Sequence, residues 1–332
     1  MKPLNLSRRV AAIGVISALA LATVGSAHAQ TAGPFPSKVV TLVVPFTSSS
    51  GSDIIARIIA PKLSAKWGQP VIVDNKPGAS GNLGARAVAT ATPDGHTLLM
   101  AINTFTSAPA VYKTMPFDAV ADFTQIGKLA EAGFALAVNP AVPAKDLASL
   151  ISYIKKNGGK LNYATPGNGT PQHLSMELLK LDQHLEVMHV PYKGIQGALT
   201  DLMGGQVQMA ISSVPSVRPF AEAGKLRLLA VTGQARNPLV PDVPTFKEQG
   251  ISVMDGVDAW YAVMGPARMA PALVKRLNQD FIDVMNNEEV KSALLKQGLF
   301  VRTSTPAEMN VLVKNDMARW LKVVREAHIE AD

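Results

Sequence analysis

The chain has no cysteine among its 332 residues. That excludes disulfides, cysteine metal sites and thiol catalysis, so the fold must be held by its core and its hydrogen bonds. Charge is sparse, at 17% of residues, and no basic run interleaved with aromatics points to nucleic acid. Histidine is scarce too. Beyond residue 29 only His96, His173, His184, His189 and His328 occur, and no two of them have HExxH spacing. There is no GxSxG elbow, no Walker loop and no carboxylate cluster with metal-ligand spacing. Hydrolytic, nucleotide and metal chemistry therefore lack their usual residues, and no cofactor or metal is expected.

Long apolar runs are missing except at the start, where Val10–Val24 follows Lys2, Arg8 and Arg9. This run is shorter than the roughly 20 residues a membrane helix needs. Ala27-His28-Ala29 then fits the small-x-small rule, so residues 1–29 read as a signal peptide and the protein as periplasmic. The twin arginine lacks the bulky residues of a Tat signal, which favours ordinary Sec export, and no cysteine offers a lipid anchor. Loss of Lys2, Arg8 and Arg9 lowers the net charge from +7 to a mild +4. About 300 residues with 47% hydrophobic content are enough for two domains.

The stretch Val39–Leu63 carries the first functional signal. Val39–Phe46 is a near-continuous β-branched run, as in a strand covered on both faces. A short loop of small residues follows, Thr47, Ser48, Ser49, Ser50, Gly51 and Ser52, and then a helix. Ser50 and Asp53 have capping-box spacing, and the first-turn N–H groups and helix dipole favour an anion. No charged side chain lies between Phe46 and Asp53. Strand–loop–helix units with a serine cap commonly bind nothing, but this one has a counterpart. Leu161–Thr165 reads as a strand, followed by Pro166, Gly167, Asn168, Gly169 and Thr170, with Thr170-Pro171 opening a helix. Two such loops, Thr165 to Thr170 and Thr47 to Ser52, would face each other across a cleft.

Between and after them run strands at Pro70–Asn75, His96–Asn103 and Lys128–Pro140, with helices between the strands. The order βαβαβ predicts a doubly wound parallel sheet, and a second α/β series makes two lobes. Gly78, Gly81 and Gly84 suit a turn and a close-packed helix start. Pro61 falls inside the first helix and predicts a kink or break there. Long helices are expected after Pro271 and from Thr305, where Thr305-Pro306-Ala307-Glu308 is a complete capping box.

The segments VVPF with its small-residue loop, GQPVIVDNKPGASGNLGA, ATPDGHTLL, LNYATPGNGTPQHL, HVPYKG, ALTDLMGGQVQM, GKLRLLAVTG and DVPTF occur in order along almost the whole chain. In these the sequence resembles the Bug family, the extracytoplasmic solute receptors of tripartite tricarboxylate transporters. The resemblance implies a two-lobed, type II Venus-flytrap periplasmic binding protein of α/β class with two crossover segments. Residues 30–132 and 259–332 would form domain I and residues 133–258 domain II. It implies a small carboxylate as ligand, clasped by the two loops, and membrane subunits of the transporter as partners, with the receptor itself a monomer. By the same resemblance Ser212 and Ser213 reach the cleft, where relatives often carry Asp, and Trp260 and Tyr261 stand near the hinge. The crossover strands would be Phe134–Val138 and Ala259–Val263.

Three departures bear on the ligand. Ser49 and Ser50 replace a usual glycine pair, Ser213 offers no negative charge for an ammonium group, and Pro61 interrupts the first helix. At the cleft rim, His173 either hydrogen-bonds its own loop or touches ligand, and Tyr192 and Lys193 either line the rim or are solvated. The rival function classes are an exported enzyme acting on a small carboxylate and a ligand-sensing partner of a membrane kinase. Turnover of bound solute separates the first, and interaction with a membrane partner the second. N-terminal sequencing of the exported protein is expected to begin at Gln30; a membrane-bound form retaining Met1 would contradict the signal-peptide reading.

Overall fold

The computed structural model describes residues 35–48, 50–192 and 195–329. The expected signal peptide of residues 1–29, Ser49 and Lys193 lie outside the described residues. The first sheet is built around β1 (Val40–Val44), which is flanked by β2 (Val71–Asn75) and β3 (Thr97–Ile102). Both pair with it in parallel, Val40 opposite Val71 and Thr41 opposite Thr97. Helix α1 (Gly51–Trp67) joins β1 to β2, and α2 (Asn82–Ala89) joins β2 to β3. The predicted βαβαβ order is present. The parallel sheet is only half the story, because the spatial order of the first sheet is β11-β4-β10-β3-β1-β2. Strand β4 (Phe123–Ala132) and the late strand β10 (Ala259–Pro266) pair antiparallel, and β10 also runs antiparallel to β3. The sheet is mixed.

One residue separates β4 from β5 (Phe134–Val138), which belongs to a second sheet of order β7-β6-β8-β5-β9. Here β6 (Asn162–Thr165) is parallel to β7 (Met188–Pro191) and β8 (Met209–Ser213), while β5 is antiparallel to β8 and to β9 (Arg227–Val231). Helices α4 (Leu147–Lys156), α5 (Pro171–Gln183), α6 (Ile195–Gly204) and α7 (Val214–Glu222) connect these strands. After β9 the chain returns through residues 232–258, which hold an isolated bridge from Thr245 back to Val231 and a 3₁₀ turn at Ser252–Met254, to β10. It then adds α8 (Pro271–Met285), α9 (Glu288–Lys296), the two-residue β11 (Phe300–Val301) and α10 (Pro306–Glu326). The strands expected to cross between lobes therefore each lie within one sheet. The crossings are at Gly133 and in residues 232–258.

The two crossings are tied together by Thr232. Its hydroxyl accepts the Phe134 N–H at 2.9 Å and donates to the Asp258 carboxylate. Burial pushes the Asp258 carboxyl up to about 6. Each sheet has its own core. On one side of the first, Phe105, Phe117 and Phe123 pack as a triad with ring centroids 4.9–5.7 Å apart. In the second, the small residues Ala135, Ala137, Ala164, Ala198 and Ala210 let α6 and α7 lie close on the strands.

Helix α1 runs unbroken through Pro61, with no non-helical backbone angle inside it. The predicted break does not occur. Ile55, Ile59 and Leu63 on its inner side are fully buried. Past the proline, the Trp67 indole donates to Asp280 of α8 at 2.8 Å. Pro61 and Arg57 share the exposed side, where water can serve the Arg57 carbonyl that lacks its amide partner. Pro61→Ala should therefore raise stability by about 1–2 kcal/mol, the restored helix bond exceeding the lost rigidity of the unfolded chain. The midpoint of urea unfolding measures this; an unchanged or lower midpoint would show that Pro61 is not strained.

Candidate functional site

The turn from β1 into α1 is braced from below. Ser50 caps the helix, its Oγ accepting the Asp53 N–H at 3.4 Å. The Ser50 N–H donates to the Thr47 carbonyl at 3.3 Å, and the buried Asp53 carboxylate serves other partners. It accepts from Arg57 Nε at 3.0 Å and from Asn75 Nδ2 at 2.9 Å, and the same Asn75 nitrogen donates to the Phe46 carbonyl at 3.0 Å. Strand end, loop and helix start are thus locked by one carboxylate, which leaves Thr47 and Ser48 exposed above it. Ser52 is buried, and its Oγ lies 3.4 Å from that of Ser50. Gly51 has no side chain for a packing reason: a Cβ there would overlap the Tyr261 hydroxyl. Tyr261 thereby reaches from β10 to the first turn of α1, and burial pushes its phenol up to about 12. It is a neutral hydrogen-bond donor at the positive end of a helix.

The second loop is wired more densely. Thr170 caps α5 by accepting the His173 N–H at 3.3 Å and donates to the Gly167 carbonyl at 2.9 Å. Thr165 Oγ1 donates to the same carbonyl at 3.1 Å, accepts the Gly167 N–H at 3.3 Å and lies 2.6 Å from His189 Nε2. The Gly169 N–H donates to His173 Nδ1 at 3.1 Å. The amides of Gly167 and Gly169 are therefore engaged inside the protein. Asn168 is exposed at the tip, and the Thr170 hydroxyl proton is spent on Gly167.

Other expected residues fall differently. Trp260 is not at a rim: it is buried in the first core, its indole donating to Asp316 of α10 at 2.7 Å. His173 is likewise buried, beneath the loop rather than on its edge. Tyr192 is half-buried and donates to Asp201 at 2.6 Å. Ser213 pairs with Ser216 at 2.7 Å, and Ser212 is buried with no hydrogen-bond partner for its hydroxyl among the described residues.

One helix was not foreseen. TFTSAPAV forms α3 (Thr104–Val111) directly after β3. Its Pro109 and the lack of an apolar stripe hid it. From this helix Ser107 Oγ donates to the Gly169 carbonyl at 3.3 Å, and Val111 packs where a Cβ on Gly169 would stand. Tyr112, its C-cap, meets Ser80 of the glycine-rich turn at 2.8 Å. Gly84 in that region is close-packed, a Cβ there falling 2.8 Å from Pro45 Cα. Asn103 precedes the helix, and its buried Nδ2 also has no partner among the described residues. So the C-terminal strand edges of the two sheets, where α/β folds bind ligands, are joined through α3. Each edge carries one unsatisfied buried polar group, Asn103 on the first and Ser212 on the second.

Residues 55–329 match the family model described as the tripartite tricarboxylate transporter family receptor. The chain belongs to that family. Its members are periplasmic receptors. The receptor is 31% identical to protein BugT of Bordetella pertussis over 97% of its own length and 98% of the other's. Among solved structures it resembles a Rhodopseudomonas palustris protein determined with adipate, at 34% identity and TM-score 0.77, covering 90% of this chain and 100% of that one. It also resembles MatC of Rhodopseudomonas palustris with bound malate, at 31% identity and TM-score 0.73, covering 87% and 100%. These likenesses bear out the α/β, two-lobed periplasmic binding protein fold.

The contact between Gly169 and Val111 of the receptor gives a direct test. Gly169 has φ +65°, a left-handed conformation costing an alanine about 1–2 kcal/mol. Gly169→Ala should lose at least that much stability through the added overlap with Val111, and Val111→Ala in the same background should recover part of it. A strictly additive double-mutant cycle in urea unfolding would mean that α3 does not touch the loop in solution.

Proposed function

We propose that this receptor captures a small organic acid without an amino group and delivers it to the membrane subunits of a tripartite tricarboxylate-type transporter. The ligand lies between a lobe of residues 30–132 and 259–332 and a lobe of residues 133–258. The receptor acts as a monomer and turns nothing over. What supports the reading most is that two relatives above 30% identity were solved with dicarboxylates, adipate and malate. The local chemistry agrees. Neither loop carries Arg or Lys within Thr47–Ser52 or Thr165–Thr170, so an anion would be held by helix N-termini, hydroxyls and amides. Ser48, Ser50, Gly51, Ser52 and Tyr261 would serve one end, and Asn168, Thr170, Ser212 and Ser213 the other. With serine rather than aspartate at 212 and 213, an ammonium group would find no counter-charge.

Thermal unfolding with adipate, malate, glutamate and glucose tests this. A ligand at a hundred times its dissociation constant adds about 2.7 kcal/mol, which in a chain of this size raises the melting temperature by several degrees. A dicarboxylate should give that shift, and glutamate and glucose should not. A shift with glutamate or glucose and none with either dicarboxylate would overturn the proposal, and consumption of the bound acid would replace it with an enzyme.

A further inference from the structure

Beneath the second loop two imidazoles lie face to face. The rings of His173 (α5) and His189 (β7) have centroids 3.9 Å apart and planes within 10°. Tyr163 of β6 extends the stack, its centroid 4.9 Å from that of His189. Both histidines hold the loop. His173 Nδ1 accepts the Gly169 N–H, and His189 Nε2 lies 2.6 Å from Thr165 Oγ1, the hydroxyl that fixes Gly167. Because Nδ1 of His173 accepts, it carries no proton. Protonating it would set N–H against N–H at Gly169 and put a cation on the face of the neighbouring ring.

The charged and titratable groups around the stack oppose that cation in sum. Lys180 on α5 lies 5.4 Å from the centroid of the Tyr163 ring and is paired with Glu177, which also accepts from the Tyr163 hydroxyl. The Glu177 carboxylate is thus already claimed by two donors. On another side of α5, at Leu178, Leu181 and Asp182, α10 presents Arg319, Lys322 and Glu326, and α3 offers Ser107, which does not titrate. Burial lowers both histidines to about 4; for His173 Lys180 adds to this, and for His189 the His173 ring does.

We propose that the stacked pair His173–His189 is the positioning element of the second loop, and that ligand capture requires His173 to stay neutral. The inference rests on the carboxylate-receptor reading for its consequence, but the positioning itself can be measured without ligand. In ¹⁵N-labelled protein, the His173 ring should show a bare Nδ1 at pH 7, and the Gly169 amide should be protected from exchange. After correction for the intrinsic pH dependence of exchange, that protection should fall together with the ring titration, which lies at least one pH unit below that of a free histidine. His173→Phe keeps a ring in the stack but removes the acceptor, so it should lose the Gly169 protection. His173→Asn offers an acceptor that does not titrate, and should keep protection down to low pH.

Calorimetry with adipate at pH 7 supplies the functional arm. His173→Phe should weaken binding at least tenfold and His173→Asn less than threefold. As pH falls toward 4, the asparagine variant should lose affinity less steeply than the parent, which separates titration of the loop from titration of adipate itself. An ordinary titration of His173 with Gly169 protection indifferent to it would overturn the proposal. So would unchanged adipate affinity in a His173→Phe protein whose Gly169 amide has become exposed. Should the phenylalanine variant not fold, the exchange profile of the parent decides alone. Failure of the parent to bind adipate counts against the choice of ligand, and the exchange arm still decides the pair.

Discussion

Gly169 is the point on which the two halves of the site depend. Its amide is held by His173 from one lobe and its carbonyl by Ser107 from the other. The two successive peptide units on either side of this residue are each fixed by a hydrogen bond, which leaves the loop little freedom. The missing side chain is what allows Val111 to close on it. The shape of the second loop is therefore set by a residue whose amide and carbonyl are both turned into the protein. The first loop follows the same design with different chemistry, since Asp53 clamps strand, loop and helix from underneath while the serines above it stay outside the clamp.

Much of this was legible in the sequence because it is local. The β-branched run before Thr47, the serine and threonine caps at Ser50, Thr170 and Thr305, and Pro at the first turn each act within four residues of themselves. Family resemblance supplied the two-lobed arrangement. What stayed hidden depends on partners far along the chain. Trp260 looked like a hinge aromatic because its Asp316 partner lies 56 residues on. Helix α3 was lost because Pro109 sits in it and because what stabilises it includes Thr106 bonding to Asp316, 210 residues away. Pro61 misled in the opposite sense: the local rule demanded a break, and the buried inner face with the Trp67–Asp280 anchor overrode it. The amides of the second loop are claimed locally, Gly167 by Thr165 and Gly169 by His173, and the sequence alone does not show which way those side chains turn.

Two carboxyls stand beside the start of β10. Asp258 answers Thr232 at the paired crossings, and Asp316 receives both the Trp260 indole and the Thr106 hydroxyl beneath α3. Burial raises both carboxyls above their ordinary range, Asp258 to about 6. Between about 4 and 6 the native state then holds a proton at Asp258 that the unfolded chain gives up, so this group loses stability as pH rises through that window. The stacked histidines have the opposite sign. Lowered to about 4, they add stability as pH rises toward the ordinary histidine value. The contributions oppose each other, so Asp258 takes back part of what the histidines add as pH rises.

The position of β10 has a consequence for the order of folding. It lies in the middle of the first sheet, between β3 and β4, yet it is supplied by residues 259–266, after the whole second sheet has been laid down. A chain emerging from its N-terminus first can pair β1, β2 and β3 early, but β4 must wait for a neighbour that arrives last. The second sheet, whose strands all fall within Phe134–Val231, can close on its own. The inserted lobe is thus free to fold before the lobe that hosts it. Until then the edges of β3 and β4 stay open, and an open strand edge is where a slow, long-range fold is exposed to mispairing.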